Sequence, residues 1–191
     1  MNSKVNTKEK FIETASRLFE IKGYNATGLN EILAESGAPK GSLYYHFPKG
    51  KEQLALEAIN LAGQKIKLNL QRNLESIENP IEAIVTNIER LADVIDTEEK
   101  TRDMSISLLA LETYLTNEVL RKACEDIFSS LEAVYAEKLI KAGVEKNKAY
   151  EFGSVIGAIT EGGITISLTR KNGNLLRSIA KQIPSIVKLS E

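Results

Sequence analysis

The hydrophobic positions of this chain recur at helical spacing almost from end to end. Near the N-terminus Phe11, Ile12, Ala15, Leu18 and Phe19 fall at i, i+1, i+4, i+7 and i+8, one buried face of an amphipathic helix. Asn6 followed by Glu9 suits a capping box, and Gly23 suits the αL residue past the last turn. Thr27 reads as the cap of a second helix carrying Leu29, Ile32 and Leu33, which Gly37 closes. Pro39 opens a third helix where no amide donor is needed, and Leu43 and Phe47 supply its apolar face.

A longer pattern follows. From Lys51 to about Ile77 the residues Leu54, Ile59, Ile66 and Leu70 predict a fourth helix. Asn79-Pro80 starts a fifth with Ile84, Val85, Ile88, Leu91 and Ile95. The charged stretch 96–103 predicts a loop, and an apolar segment runs from Met104 to Leu115. Further helices are expected over about Glu118–Ala142, 147–169 and Leu175–Leu189, with Lys171-Asn172-Gly173-Asn174 as a turn and Pro184 kinking the last. No period-two alternation survives over a long window. The expectation is all-α: nine helices, a head of three over residues 1–50 and a helical body over 51–191.

The most informative segment is Ala26 to Leu54. Two short amphipathic helices joined across Ser36-Gly37-Ala38-Pro39 make a helix-turn-helix, whose second helix can enter the major groove of DNA. That helix begins Lys40-Gly41-Ser42 and continues Tyr44-Tyr45-His46. Its first turn offers free amides and the positive dipole end to a phosphate, and Gly41 lets the backbone approach closely. Tyr44 and Tyr45 offer rings for a thymine methyl and hydroxyls for a phosphate or base edge. Lys51, at the start of the fourth helix, suits a phosphate contact. The bland alternative is that the tyrosines pack within the head and His46 is a satisfied surface residue.

Composition narrows the rest. The chain has 191 residues, 42% hydrophobic and 27% charged, which fits a globular protein with a substantial core. Net charge is −1. Residues 1–55 hold eight basic and six acidic side chains (+2); the remainder holds seventeen and twenty (−3). A specific DNA binder needs positive charge only where phosphates sit, so a mildly basic head on an acidic body fits. No unbroken run of about 18 apolar residues and no signal peptide appear, so a cytoplasmic protein without a membrane span is expected. His46 is the only histidine and Cys124 the only cysteine. Histidine-based triads, metal clusters and intrachain disulfides are therefore not expected, and neither is a cofactor or an enzymatic activity. Cys124 reads as a packing residue rather than a redox sensor.

Residues 7–54, above all Gly37-Ala38-Pro39-Lys40-Gly41-Ser42-Leu43-Tyr44-Tyr45-His46-Phe47-Pro48, resemble the DNA-binding head of the TetR family of bacterial regulators. Phe11 to Tyr24 is similar to that family's first helix. Pro39, and the linker Pro48-Lys49-Gly50-Lys51-Glu52-Gln53-Leu54, are similar to the LmrA/YxaF-like subfamily. The resemblance implies a homodimer that represses transcription by binding a palindromic double-stranded operator and lets go when a small-molecule inducer enters the body. It carries DNA contacts onto Thr27, Lys40, Gly41, Ser42, Tyr44, Tyr45, His46 and Lys51. Inducers in that branch are flavonoid-like. Where the branch often reads glycine-cysteine-proline before Leu109, this chain has Met104-Ser105-Ile106, which implies a differently shaped pocket. The alternative is a helix-turn-helix module acting through a protein partner.

Two features of the body bear on this. Gly153, Ser154, Gly157, Ala158, Gly162 and Gly163 place small residues at four-residue spacing, which lets a second helix approach closely. With the last helix this suits a two-fold four-helix dimer interface through Gly153, Gly157, Ala158, Leu176, Ile179 and Ile183, against the alternative of close packing inside one subunit. A hydrophobic or aromatic inducer is expected among Met104, Ser107, Leu108, Leu111, Phe128, Leu131, Tyr135, Glu161 and Thr165. Each of these is also an ordinary core candidate. Glu161 is the sharpest, because a carboxylate among glycines and isoleucines needs a partner or a raised pKa.

Overall fold

Each apolar period read from the sequence folds as a helix. The computed structural model describes residues 7–97 and 106–187, and within them lie α1 (Thr7–Ala26), α2 (Leu29–Ser36), α3 (Lys40–His46), α4 (Lys51–Glu75), α5 (Pro80–Asp96), α6 (Ile106–Thr113), α7 (Glu118–Lys141), α8 (Lys146–Arg170) and α9 (Asn174–Ile186). Among the described residues there is no strand. Asn6, Met104 and Ser105 lie outside them, and with these the proposed capping box and one expected pocket residue.

The chain forms two compact units, each built from two separate stretches. Of the described residues, the first holds 7–65 and 106–127, the second 66–97 and 128–187. The first unit includes α6 and the opening turns of α7: α6 lies on α1, and a Cβ on Gly63 of α4 would come within 2.5 Å of Ile127 Cδ1.

The core of the first unit joins Phe11, Leu18 and Phe19 of α1 to Ile32, Leu43 and Phe47, all at most 1% exposed. Phe11 meets Phe47 edge to face at 6.2 Å between centroids, a geometry that suits the ring quadrupoles. In the second unit α5 packs on α8 and α9, and α8 on α9. Asn79 caps α5 by accepting from the amides of Ile81 and Glu82 at 2.9 and 3.1 Å, which satisfies two donors the helix leaves open. Glu145 does the same for α8.

Three local expectations are corrected. Gly23 does have positive φ, but at φ 78°, ψ 168° it occupies a region essentially reserved for glycine rather than αL, and a further turn follows it within α1. Thr27 does not cap α2. That position belongs to Gly28, and the Thr27 hydroxyl instead donates to the carbonyls of Gly23 (2.7 Å) and Leu18 (3.3 Å), closing the end of α1. Pro39 is the N-cap residue of α3 rather than its first helical residue. Gly37 closes α2 in the αL conformation, as read. α8 is long and apolar enough to cross a membrane by length and composition, although Glu151 and Glu161 interrupt it. Its stripe Gly153, Ile156, Thr160, Gly163 and Ser167 is buried within the second unit.

Candidate nucleic-acid interface

α3 has seven residues, and their burial alternates sharply along it. Leu43 is fully buried, as is Phe47 at its C-cap, and these two anchor the helix to the head. Their neighbours point outward: Tyr45 is 82% exposed and Tyr44 47%. Lys40 and Gly41 are exposed, and Ser42 and His46 half-buried. A Cβ on Gly41 would meet nothing within 4 Å, so the backbone there is open to close approach from outside. His46 is flanked by the rings of Tyr45 (5.0 Å) and Phe47 (6.3 Å), which orient it. Large aromatic rings left in water on a short helix are costly unless a partner covers them.

Charge sharpens the picture. The carboxylates of α2 are neutralised from α1: Glu35 pairs with Arg17 and Glu31 with Lys22. Lys40 and Lys49, beside the exposed tyrosines in sequence, have no ion-pair partner among the described residues. Their field is thus uncompensated where a phosphate backbone would lie. Lys51 is different. Its Nζ stands 4.2 Å from the centroid of the Tyr24 ring, and burial pulls the ammonium below the usual lysine range while Glu112 opposes that shift.

The structure brings Lys40, Gly41, Tyr44 and Tyr45 together on the outer side of α3. It does not bring Thr27 there, since that residue is 1% exposed with its hydroxyl engaged below.

The body residues separate as well. Ser107, Leu108 and Leu111 belong to the first unit, with Leu111 71% exposed, whereas Phe128, Leu131, Tyr135, Glu161 and Thr165 belong to the second. Within the second unit a polar chain crosses the apolar packing. Arg90 donates to Asn73 (3.1 Å), Asn73 to Asn87 (3.0 Å), and Asn87 to the Tyr135 hydroxyl (3.3 Å). The Thr160 hydroxyl approaches the same phenol without forming a hydrogen bond of normal geometry. Burial drives the Tyr135 phenol well above the usual tyrosine range, and Glu161 adds to the shift. Leu131 and Tyr135 are buried, Phe128 and Glu161 half-buried, and Thr165 exposed. A solvent-open groove of about 740 Å³ on this unit is lined by Glu78, Pro80, Glu82, Lys138 and neighbours, and by none of the expected pocket residues. Asn73 and Asn87 escaped the sequence reading, although an asparagine between Ile84 and Ile88 on an apolar stripe was the available signal.

The small-residue pattern of α8 divides between two faces. Gly153 packs inward: a Cβ there would lie 2.5 Å from the Glu132 carbonyl oxygen of α7. Gly157 faces Glu132 at 3.1 Å, and Gly163 faces Leu176 and Ile179 of α9. Leu176 and Ile183 are fully buried within one chain. For Gly153, Gly163, Leu176 and Ile183, all buried, packing inside the subunit accounts for the small residues and their apolar neighbours. Ala158 and Gly162 do lie on an open face, with Val155 (44% exposed) and Ile166 (41%).

An exposed aromatic helix on a buried apolar anchor, after a glycine-closed turn, defines a helix-turn-helix DNA-binding protein. Residues 11–58 match the family model for bacterial regulatory proteins of the tetR family, and residues 80–182 match that of the LmrA/YxaF-like transcriptional regulator C-terminal domain. The chain belongs to the TetR family of transcriptional regulators, in its LmrA/YxaF-like branch. It is 45% identical to the HTH-type transcriptional regulator YxaF of Bacillus subtilis (strain 168) over 98% of each chain. To the HTH-type transcriptional regulator LmrA of the same organism it is 43% identical, over 96% of this chain and 97% of that one. Among solved structures, reduced E. coli NemR superposes with a TM-score of 0.84 at 19% identity, covering 96% of this chain and 98% of that one. A TetR regulator from Legionella pneumophila gives 0.80 at 22%, over 98% and 100%. These two establish the likeness of fold.

Proposed function

We propose that this regulator is a cytoplasmic homodimeric repressor that binds a palindromic operator through α3 and is released by a small hydrophobic or aromatic ligand, flavonoid-like in class. The observation that carries the DNA-binding part is the outward display of Tyr44 and Tyr45 over the buried Leu43 and Phe47. Residues 1–50, with Lys51 at the border, read the DNA, and residues 51–191 dimerise and bind ligand. Two α3 helices in a dimer read half-sites about one DNA turn, roughly 34–36 Å, apart. Lys40, Gly41, Ser42 and Lys51 meet phosphates, while Tyr44, Tyr45 and His46 meet base edges or sugar–phosphate.

The open α8 face around Val155, Ala158, Gly162 and Ile166 supports a two-fold contact, because small and branched side chains there let a second α8 approach closely. The Asn87–Tyr135 chain, with the Thr160 hydroxyl beside it, supports a ligand site in the second unit with hydrogen-bonding groups amid apolar walls. Release follows from a population shift: a ligand that prefers one arrangement of the body weakens operator binding when that arrangement misplaces the recognition helices.

The test is a fluorescence-anisotropy titration against the intergenic DNA beside the protein's own gene, at several salt concentrations, with scrambled DNA as competitor. Saturable binding that survives the competitor and falls steeply with salt is expected. Weak binding equal for both DNAs refutes operator recognition at that site and turns the search to a protein partner.

A further inference from the structure

We infer that Glu112 is a positioning residue: its carboxylate fixes the exit of α1 at Gly23–Tyr24 and, through the Tyr24 ring, the Lys51 ammonium. The inference rests on the reading of Lys51 as a phosphate contact. It starts from the break inside α1. Gly23 takes a backbone conformation open only to glycine, and the Tyr24 amide that follows donates to Glu112 Oε2 at 2.5 Å. The carboxylate sits directly on the glycine. A Cβ on Gly23 would lie 2.5 and 2.7 Å from the two carboxylate oxygens and 2.8 Å from the carbon between them. Asn25 ties the same residue from the other side, its Nδ2 donating to the Glu112 carbonyl at 3.4 Å.

Tyr24, held in this way, forms the surface on which Lys51 rests, 4.2 Å above the ring. A cation over an aromatic face gains about 0.5–1 kcal/mol when exposed and more when desolvated, enough to choose one rotamer of a long side chain. The next residue, Glu52, accepts from Asn117 Nδ2 at 2.7 Å, so the first turn of α4 is fastened on both sides. A carboxylate suits position 112 for two reasons. A charged acceptor binds a backbone amide more strongly than a neutral one, and the Lys51 charge favours an anion nearby. An apolar residue at 112 leaves the Tyr24 amide without that acceptor and frees the ring beneath Lys51.

The test uses the full-length chain, with amide hydrogen exchange at Tyr24 and anisotropy with the intergenic DNA as readouts. Glu112→Ala should speed Tyr24 exchange and weaken operator binding about tenfold each, while Glu112→Gln, which keeps a carbonyl acceptor, stays within about threefold. The loss should come with a shallower salt dependence: the slope of log K against log salt falls by about 1 per lost phosphate contact. A variant that is merely destabilised weakens binding at unchanged slope, and that outcome overturns the positioning role. So does Tyr24 exchange in Glu112→Ala equal to wild type. Wild-type protein without specific DNA binding overturns the underlying reading of Lys51 instead, a result the wild-type titration separates from the other two.

Discussion

Leu43 and Tyr45 stand two residues apart on one seven-residue helix, and truncating each to alanine should give opposite phenotypes. Leu43 is fully buried, and removing a leucine side chain from a packed core costs about 2–5 kcal/mol. With a urea m-value of about 2 kcal/mol per molar, a loss of about 3 kcal/mol moves the midpoint down by roughly 1.5 M. Tyr45 is 82% exposed, with its ring T-shaped to that of His46 at 5.0 Å, so Tyr45→Ala should change stability by no more than about 0.5 kcal/mol. Its operator affinity, however, should fall. A good base contact carries about 1–3 kcal/mol, and a dimer loses it twice, giving roughly 30-fold to 10⁴-fold weaker binding. Urea denaturation followed by circular dichroism and anisotropy on the same samples check both halves. The reasoning fails if Tyr45→Ala lowers the midpoint as Leu43→Ala does, or if it leaves operator affinity unchanged.

Gly153→Ala should destabilise the chain by about 1–3 kcal/mol in thermal melts, because the new methyl meets the Glu132 carbonyl oxygen at 2.5 Å. Gly162→Ala, with nothing within 4 Å, should instead stabilise it by about 0.4–1 kcal/mol, and Gly162→Leu should shift sedimentation from dimer toward monomer. The Gly173 amide and then Arg177 hold the Asp96 carboxyl below the usual aspartate range, so that its contribution is present at neutral pH and lost as pH falls below about 4. Asp96→Asn should flatten that limb of the melting temperature against pH. Burial pushes the Cys124 thiol up to about 11, so iodoacetamide at pH 8 should alkylate it far more slowly in native than in urea-unfolded protein.

Periodicity revealed the helices because it is a local property: the residues that share a face lie three or four apart. The recognition helix was legible for the same reason, Leu43 and Phe47 marking its inner side and thereby assigning Tyr44 and Tyr45 to the outer one. Facing relations across long separations were not. The glycines of α8 signal a close neighbour, but spacing cannot say whether that neighbour is α7, α9 or a second chain. Leu111 looked like a pocket residue on apolar character alone, yet it is largely exposed. Thr27 had the chemistry of a cap, and the carbonyls it binds lie behind it in the sequence rather than ahead. Glu112 gave no signal at all, since its acceptor role depends on an amide 88 residues away.

That separation has a consequence for how the molecule is made. At about 5–20 residues per second, roughly 4–18 s pass between the synthesis of Tyr24 and that of Glu112. From the synthesis of His46 onward, the three N-terminal helices can be complete while the end of α1 still lacks its acceptor. A fragment cut at residue 50 lacks that acceptor altogether. Transplanting this head onto another body without α6 leaves the Tyr24 amide without its Glu112 acceptor.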